Sequence, residues 1–139
     1  MATKADTAAL PAEPAAGSTF PLLVLIAGWL IPGAGHLILG KWVRALLLAA
    51  AILAMFIIGV ALGGKLYSPN TGEPLDILGF LGDLGAGLPF IIGRFSGLGQ
   101  APVLTAVADY GTKFISIVGL LNIVAAIDAH SIAIGRKPA

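Results

Sequence analysis

Two long apolar stretches lie almost end to end near the start of this sequence, and only Gly40 and Lys41 separate them. The first, Phe20–Leu39, runs for 20 residues without Asp, Glu, Lys or Arg. A helix of that length is about 30 Å long, which matches the hydrocarbon core of a bilayer. The second stretch, Trp42–Leu62, is as long and holds one charged side chain. Because so short a link forces an antiparallel return, the pattern predicts a transmembrane helical hairpin over residues 20–63.

The composition of the whole chain supports a membrane protein. Of its 139 residues, 58% are apolar and only 11% are Asp, Glu, Lys or Arg, whereas soluble domains average about 25% charged residues. A formal charge of +1 provides no basic surface for nucleic acid, so no nucleic-acid partner is expected. The absence of cysteine excludes disulfides, thiol nucleophiles and cysteine-ligated metals.

A third apolar stretch, Phe114–Gly135, predicts the last transmembrane helix, within a segment 112–139 that ends in a short basic C-terminus. The intervening region, 64–111, is rich in Gly and Pro. It predicts an extracytoplasmic or interfacial loop region with short helices near Leu75–Leu81 and Pro102–Tyr110. The predicted fold class is therefore an all-α membrane protein, in which a helical hairpin is joined by a third transmembrane helix.

Three features interrupt this pattern. Residues 1–19 are rich in Ala and Pro and predict a flexible tail. Pro32 removes a backbone hydrogen bond inside the first stretch, which predicts a kink or break near Leu30. The piece Leu84–Leu104 is apolar, but Arg94 at its centre, five glycines and two prolines make a lipid-facing helix costly. A re-entrant or membrane-surface segment is predicted there.

Small residues recur where helices are expected to touch. Gly59 and Gly63 form a Gly-x-x-x-Gly pair in the second helix, and Gly119, Asn122 and Ala126 share one face of the third. Small side chains let helix backbones approach closely, and a mid-span amide bridges helices at roughly 0.6–2 kcal/mol. These five residues are the predicted helix-packing positions.

Four ionisable side chains are expected near one membrane boundary: His36, Arg44, Asp128 and His130. They form a candidate polar layer, and ionisable groups within a membrane are candidates for proton or ion passage. The simpler interpretation is that His36 bonds a carbonyl freed by Pro32, while Asp128 and His130 reach the headgroups. On a helical wheel the last two residues diverge too far to face the bundle centre together.

No motif indicates catalysis. None of the serines lies in a Gly-x-Ser-x-Gly context, and the Pro32–Gly35 turn lacks the Gly-Lys-Ser or Gly-Lys-Thr of a phosphate-binding loop. Two histidines and one aspartate fall short of the usual metal-ligand set. No catalytic residue, cofactor or metal is predicted, and we expect the chain not to be an enzyme.

The basic residues favour one orientation. Lys41, Arg44, Arg136 and Lys137 crowd into two short segments, which three spans would place on one side. The positive-inside rule makes that side cytoplasmic. The sequence thus predicts an N-out, C-in protein of the bacterial inner membrane.

The link Gly35-His36-Leu37-Ile38-Leu39-Gly40-Lys41 resembles that of the small two-transmembrane-helix domain family, in which it joins two spans in a hairpin. The preceding Trp29–His36 is similar to a group of uncharacterised bacterial membrane proteins with a third span, which Asn122–Lys137 resembles. The family's usual aromatic pair after the histidine is replaced here by leucine and isoleucine. Since most of these proteins have no assigned function, the resemblance implies architecture rather than activity.

Two functions fit the sequence. The first is a non-enzymatic accessory or scaffold subunit, whose small-residue faces pack against a second copy or a larger membrane complex. The alternative is a small oligomeric channel or transporter component that uses the polar residues along a pathway. A third, less supported interpretation is a regulatory membrane protein that acts through its exported loop.

Overall fold

The computed structural model describes residues 18–69 and 72–138, which form six helices joined by turns and loops. The helices are α1 (Phe20–Leu30), α2 (Ala34–Ile38), α3 (Trp42–Ala61), α4 (Pro74–Leu84), α5 (Leu88–Phe95) and α6 (Ala106–Ala133). The all-helical prediction is confirmed for this part of the chain, while the predicted tail, 1–19, lies outside it except for its last two residues.

Among the helices of the described residues, α3 and α6 are the two that are long and apolar enough to cross a membrane by themselves. A third span is obtained only if α4 and α5, which are bent by 116° with respect to each other, are taken as one. The limits of α3 agree closely with the predicted second span. α6 begins well before the predicted Phe114, because the Thr105 hydroxyl caps it by accepting from the Ala108 N–H at 3.2 Å. The separate short helix expected over Pro102–Tyr110 is therefore wrong, since most of that segment is the first turn of α6.

α3 and α6 run antiparallel. At one end Arg44 lies 3.6 Å from Asp128, and at the other Gly59 packs against Gly111. A Cβ at Gly59 would lie 2.9 Å from the Gly111 carbonyl oxygen, so these backbones touch. We call the end that holds Arg44 and Asp128 the basic end, and the opposite end, where Asp109 lies, the acidic end.

The first predicted span is two helices that fold back on each other. Pro32 ends α1, and Gly33 turns the chain with a φ of 84° that favours glycine. α2 then returns along α1: a Cβ at Gly35 would lie 3.0 Å from the Val24 carbonyl oxygen and 3.4 Å from Gly28 Cα. The single span predicted for Phe20–Leu39 is therefore wrong, because close glycine packing lets the chain reverse direction at the predicted break.

This half-length hairpin enters from the basic end. Trp29, near the tip, meets Asn122 at the middle of α6, and Gly28 meets Ala126 one turn further along. α1 thus runs antiparallel to α6, and Phe20 lies at the basic end, where α6 also finishes. The two ends of the described chain share one side of the bundle, whereas three spans would have placed them on opposite sides.

α4 and α5 form a second half-length hairpin, which enters from the acidic end. Gly79 in α4 packs on the Tyr67 ring, and Arg94 in α5 donates to the Ser68 hydroxyl at 3.1 Å. Both arms therefore meet the segment that follows α3. The tip, residues 85–87, reaches the carbonyl oxygens at the end of α1. α4 contains the short helix predicted near Leu75–Leu81, whereas its pairing with α5 in a hairpin was not predicted.

The two halves of the chain repeat the same elements in opposite directions. α1 and α4 each have 11 residues, and each is followed by a three-residue break. Each break ends in a glycine with a positive φ, Gly33 or Gly87, which precedes the short return helix. A full-length helix, α3 or α6, completes each half. The fold is an inverted repeat whose two hairpin tips meet in the middle of the bundle.

Candidate functional site

The side-chain amide of Asn122 joins the two hairpin tips at the centre of the bundle. Asn122 is fully buried, and its Nδ2 donates to the carbonyl oxygens of Trp29 at 2.7 Å and Gly85 at 2.9 Å. Both carbonyls belong to helix ends that the breaks leave without helical partners. The Trp29 indole N–H in turn donates to the Leu84 carbonyl at 3.1 Å. Asn122 and Trp29 thus tie the two hairpin tips together, while Asn122 Oδ1 stays buried without a partner among the described residues.

A buried carboxylate lies on the acidic side of this clamp. Asp83 is 0% exposed and accepts from the Tyr67 backbone N–H at 2.8 Å and the Ser116 hydroxyl at 2.9 Å. None of the ion pairs in the described part of the chain involves Asp83. A buried carboxylate without a cation carries a large desolvation cost, which makes Asp83 a candidate functional group.

The basic side of the clamp holds a cluster of charges around Asp128. His36, which is 1% exposed, has its Nε2 3.1 Å from Asp128 Oδ2. Arg44 approaches the same oxygen at 3.6 Å, and Lys137 donates to the other oxygen at 2.5 Å. The expectation that His36 bonds a carbonyl freed by Pro32 is therefore not met, because the fold-back of α2 carries its ring to Asp128. His130 is only partly buried and forms no side-chain bond to this cluster in the described structure.

These groups form a polar ladder along α6, defined by Asp83 with Ser116, then Asn122, then Asp128 with His36. At about 1.5 Å per residue, Ser116, Asn122 and Asp128 are each about 9 Å from the next along the helix axis. The ladder therefore extends about 18 Å along the axis of α6, and because six residues turn a helix by about 600°, successive rungs lie about 120° apart around it. Small residues, among them Gly119, separate the rungs, and the route between them is tightly packed.

Four of the five predicted helix-packing positions lie in contacts between helices of the same chain. Gly119, Asn122 and Ala126 are buried in contacts of α6 with the two hairpins, and Gly59 is buried between α3 and α6. Gly63 instead ends α3 in an exposed left-handed turn with a φ of 82°. The absence of a Cβ at Gly63 therefore favours this turn and not close packing against another helix.

Sequence reasoning missed Asp83 and the indole of Trp29. Asp83 stands in the apolar run Ile77–Leu84, where an acidic residue inside an otherwise uncharged segment is itself a signal. The glycines and prolines around it predict a loop region with short helices, and an acidic residue is not unusual in such a region. The partnership of Trp29 with Leu84 depends on the meeting of two hairpin tips, which no local pattern predicts.

A polar cavity of about 520 Å³ opens at the acidic end between the segment after α3 and the start of α6. Lys65 lies 3.7 Å from Asp76 there, and its ammonium stands 5.0 Å from the centre of the Tyr67 ring. Burial raises the pKa of the Tyr67 hydroxyl, and the nearby carboxylates of Asp76 and Asp83 raise it further. No group of three or more potential metal ligands is present within residues 18–69 and 72–138.

One family model matches nearly all of the described chain. Residues 23–138 match DUF6677, a family of unknown function. The chain belongs to this family. The DUF6677 match includes both hairpins and the whole polar ladder, whereas the resemblance to the two-transmembrane-helix domain family is not confirmed. No curated protein and no solved structure matches the chain.

Proposed function

We propose that this DUF6677 protein is an integral membrane protein in which α3 and α6 cross the bilayer and the two hairpins each enter half of it. Large apolar side chains cover the outward faces of both long helices, as expected when lipid replaces water. The interior combines a core of large apolar side chains with buried glycine, alanine and polar residues. The outward-facing residues include Val43, Leu46, Leu47, Leu53 and Ile57 on α3, and Ile117, Leu120, Val124 and Ile127 on α6.

Within the membrane, we propose that the protein is a non-enzymatic component of a small, oligomeric channel or transporter for protons or cations. The observation that carries this proposal is the meeting of two oppositely directed half-helix hairpins at the middle of the bundle. Inverted repeats with helices broken at the midplane are typical of transporters, which place coupling ions at such breaks. The polar ladder offers carboxylate, amide, hydroxyl and imidazole groups, a set suited to protons and cations.

The accessory-subunit role is the second candidate. Its argument from small residues is weakened, since the glycine and alanine faces are filled by the hairpins of the same chain. It is favoured instead by Phe95 and Leu104, which are 88% and 85% exposed at the acidic end. Apolar side chains as exposed as these are suited to contact with another membrane subunit.

The proposed orientation places both ends of the described chain in the cytoplasm of a bacterial cell. Among the described residues, the basic half carries Lys41, Arg44, Arg136 and Lys137 against Asp128 alone, whereas the acidic half carries three basic and four acidic residues. The positive-inside rule therefore places the basic end inside. C-in is retained from the sequence-based prediction, and N-out is replaced by N-in.

Single cysteines test this orientation, because the chain has none of its own. We expect Ser18→Cys and Pro138→Cys to be protected from a membrane-impermeant maleimide in intact spheroplasts and labelled in inverted vesicles. Glu73→Cys should show the opposite pattern. Labelling of positions 18 and 138 from different sides would require an odd number of crossings and would contradict the two-span arrangement.

Flux through reconstituted vesicles tests the transport proposal. Vesicles containing the full chain and an internal pH dye should acidify under an imposed potential faster than empty vesicles, and alkali-cation efflux should be measured in parallel. We expect Asp83→Asn to lower the flux by about tenfold or more, since the buried charge is lost while the amide retains an acceptor for the Tyr67 N–H.

Asp109→Asn is the matched control, because Asp109 is an exposed carboxylate at the acidic end, paired with Lys113 at 2.6 Å. Its flux should equal that of the wild type. An absence of proton and cation flux in well-folded wild-type protein would refute the transport proposal. Equal flux in Asp83→Asn and wild type would remove Asp83 from the pathway.

A further inference from the structure

The basic end carries more positive charge than its carboxylate balances. Asp128 is the acidic residue of this end in the described chain, yet His36, Arg44 and Lys137 all surround it. Arg44 and Lys137 keep more than half of their side-chain surface exposed. Each therefore retains donors that a single carboxylate cannot use, and these donors face the membrane boundary.

An apolar groove begins directly beneath this cluster. The groove has a volume of about 290 Å³, and its mouth is formed by His36, Arg44 and Asp128. Its remaining walls are hydrocarbon, contributed by Leu48 of α3 and by Leu121, Val124 and Ala125 of α6. The groove exists because α3 and α6 touch at Gly59 near the acidic end, whereas α2 lies between them at the basic end.

A second, shallower depression continues from the same mouth along the outer face of α3. It extends from Gly40 to Leu48 and shares Arg44 and Leu48 with the groove. Trp42 stands on its rim with 65% of its surface exposed. Tryptophan is enriched at the headgroup level of membranes, so the rim and the cation cluster share the depth of lipid phosphates.

We propose that this site binds an anionic phospholipid, with its phosphate at Arg44 and Lys137 and one acyl chain in the groove between α3 and α6. Basic pockets between helices on the cytoplasmic side are recognised lipid headgroup sites. Free phosphate would satisfy the cations and leave the hydrocarbon walls uncovered. A zwitterionic lipid would bring its own cation next to Arg44 and Lys137. The proposal rests on the proposed membrane location and is independent of transport.

Native mass spectrometry of the full chain, released from detergent with defined lipids, tests the site. We expect phosphatidylglycerol to remain bound where phosphatidylcholine of the same chain length is lost. The double variant Arg44→Gln with Lys137→Gln should lower phosphatidylglycerol retention by roughly tenfold. Val124→Trp, which fills the groove from an exposed position and keeps every charge, should lower it as well.

Lys113→Gln is the control, because it removes an exposed cation at the acidic end. Its phosphatidylglycerol retention should not change. Equal retention of the two lipids, or an unchanged Val124→Trp variant, would overturn the site. Displacement of the lipid by millimolar inorganic phosphate would also overturn it, by showing that the cations alone bind. Because bound lipid is read as mass, loss of this site and loss of vesicle flux are separate results.

Discussion

Replacement of Gly119 by alanine is expected to separate α4 from α6 and to destabilise the protein by at least about 3 kcal/mol, the upper part of the range for overpacked cores. A Cβ at Gly119 would overlap the carbonyl oxygen of Gly82, which belongs to the backbone and cannot rotate away. The change should appear as a large fall in the thermal midpoint of helix unfolding in detergent, followed by circular dichroism.

Gly82→Ala provides the matched control on the opposite side of the same contact. A Cβ at Gly82 would find its nearest neighbour, Ser116 Cβ, at 3.7 Å, an ordinary van der Waals distance. We expect its thermal midpoint to stay near that of the wild type, because alanine also favours helix over glycine. If the two variants proved equally stable, the close approach of α4 to α6 would be refuted.

Asn122→Ala should have the second-largest effect on stability. The substitution leaves the Trp29 and Gly85 carbonyls without their donor at the buried centre of the bundle. Each orphaned group costs about 1–3 kcal/mol in a protein interior, so two of them cost about 2–6 kcal/mol together. Because the substitution also removes Asn122 Oδ1, which is buried without a partner among the described residues, we expect a net loss of about 2–4 kcal/mol. The hairpin tips should separate, and the fluorescence of Trp29 should shift to the red in a Trp42→Phe background.

Ile117→Ala serves as the comparison for this variant. This substitution removes more hydrocarbon from the same helix than Asn122→Ala does. Ile117, however, is half exposed, and its side chain has no polar atom to hydrogen-bond. Its unfolding midpoint and Trp29 emission should change little. A loss of stability as large as that of Asn122→Ala would show that side-chain volume on α6, and not the amide clamp, holds the tips together.

The full-length helices were the predictable part of this fold. α3 matches its predicted limits because a run of leucine and alanine without proline has no alternative to a continuous helix. The break after Leu30 was also predicted, since Pro32 cannot donate the hydrogen bond that the helix needs. Local chemistry determines both features, so the sequence is sufficient to find them.

The direction of the chain after the break was not predictable in the same way. Hydropathy is identical for a helix that continues across the membrane and for one that reverses halfway. What decides between them is the contact of Gly28 with Gly35, and that contact depends on how α6 supports both residues. The same limit explains why the helix near Leu75–Leu81 is predictable from the sequence, whereas its pairing with α5 in a hairpin is not.

The polar ladder was predictable only in part. His36, Arg44 and Asp128 were expected near one boundary from their positions along the helices, and the structure brings all three together. His130 was expected with them because simple counting ignores the face of the helix, and it lies apart. Asp83 belongs to the α4–α5 hairpin, and the sequence does not predict that these two helices form a hairpin.

The Asn122 clamp also sets an order of assembly during synthesis. The Trp29 carbonyl accepts its hydrogen bond from Asn122, which is 93 residues further along the chain. In the membrane arrangement proposed above, the broken end of the first hairpin has no hydrogen-bond partner until α6 leaves the ribosome, and an unpaired backbone carbonyl is costly in hydrocarbon. The early half of the protein should therefore stay at the interface or within the insertion machinery. We therefore expect α1 to reach its final depth in the membrane only after α6 has been inserted.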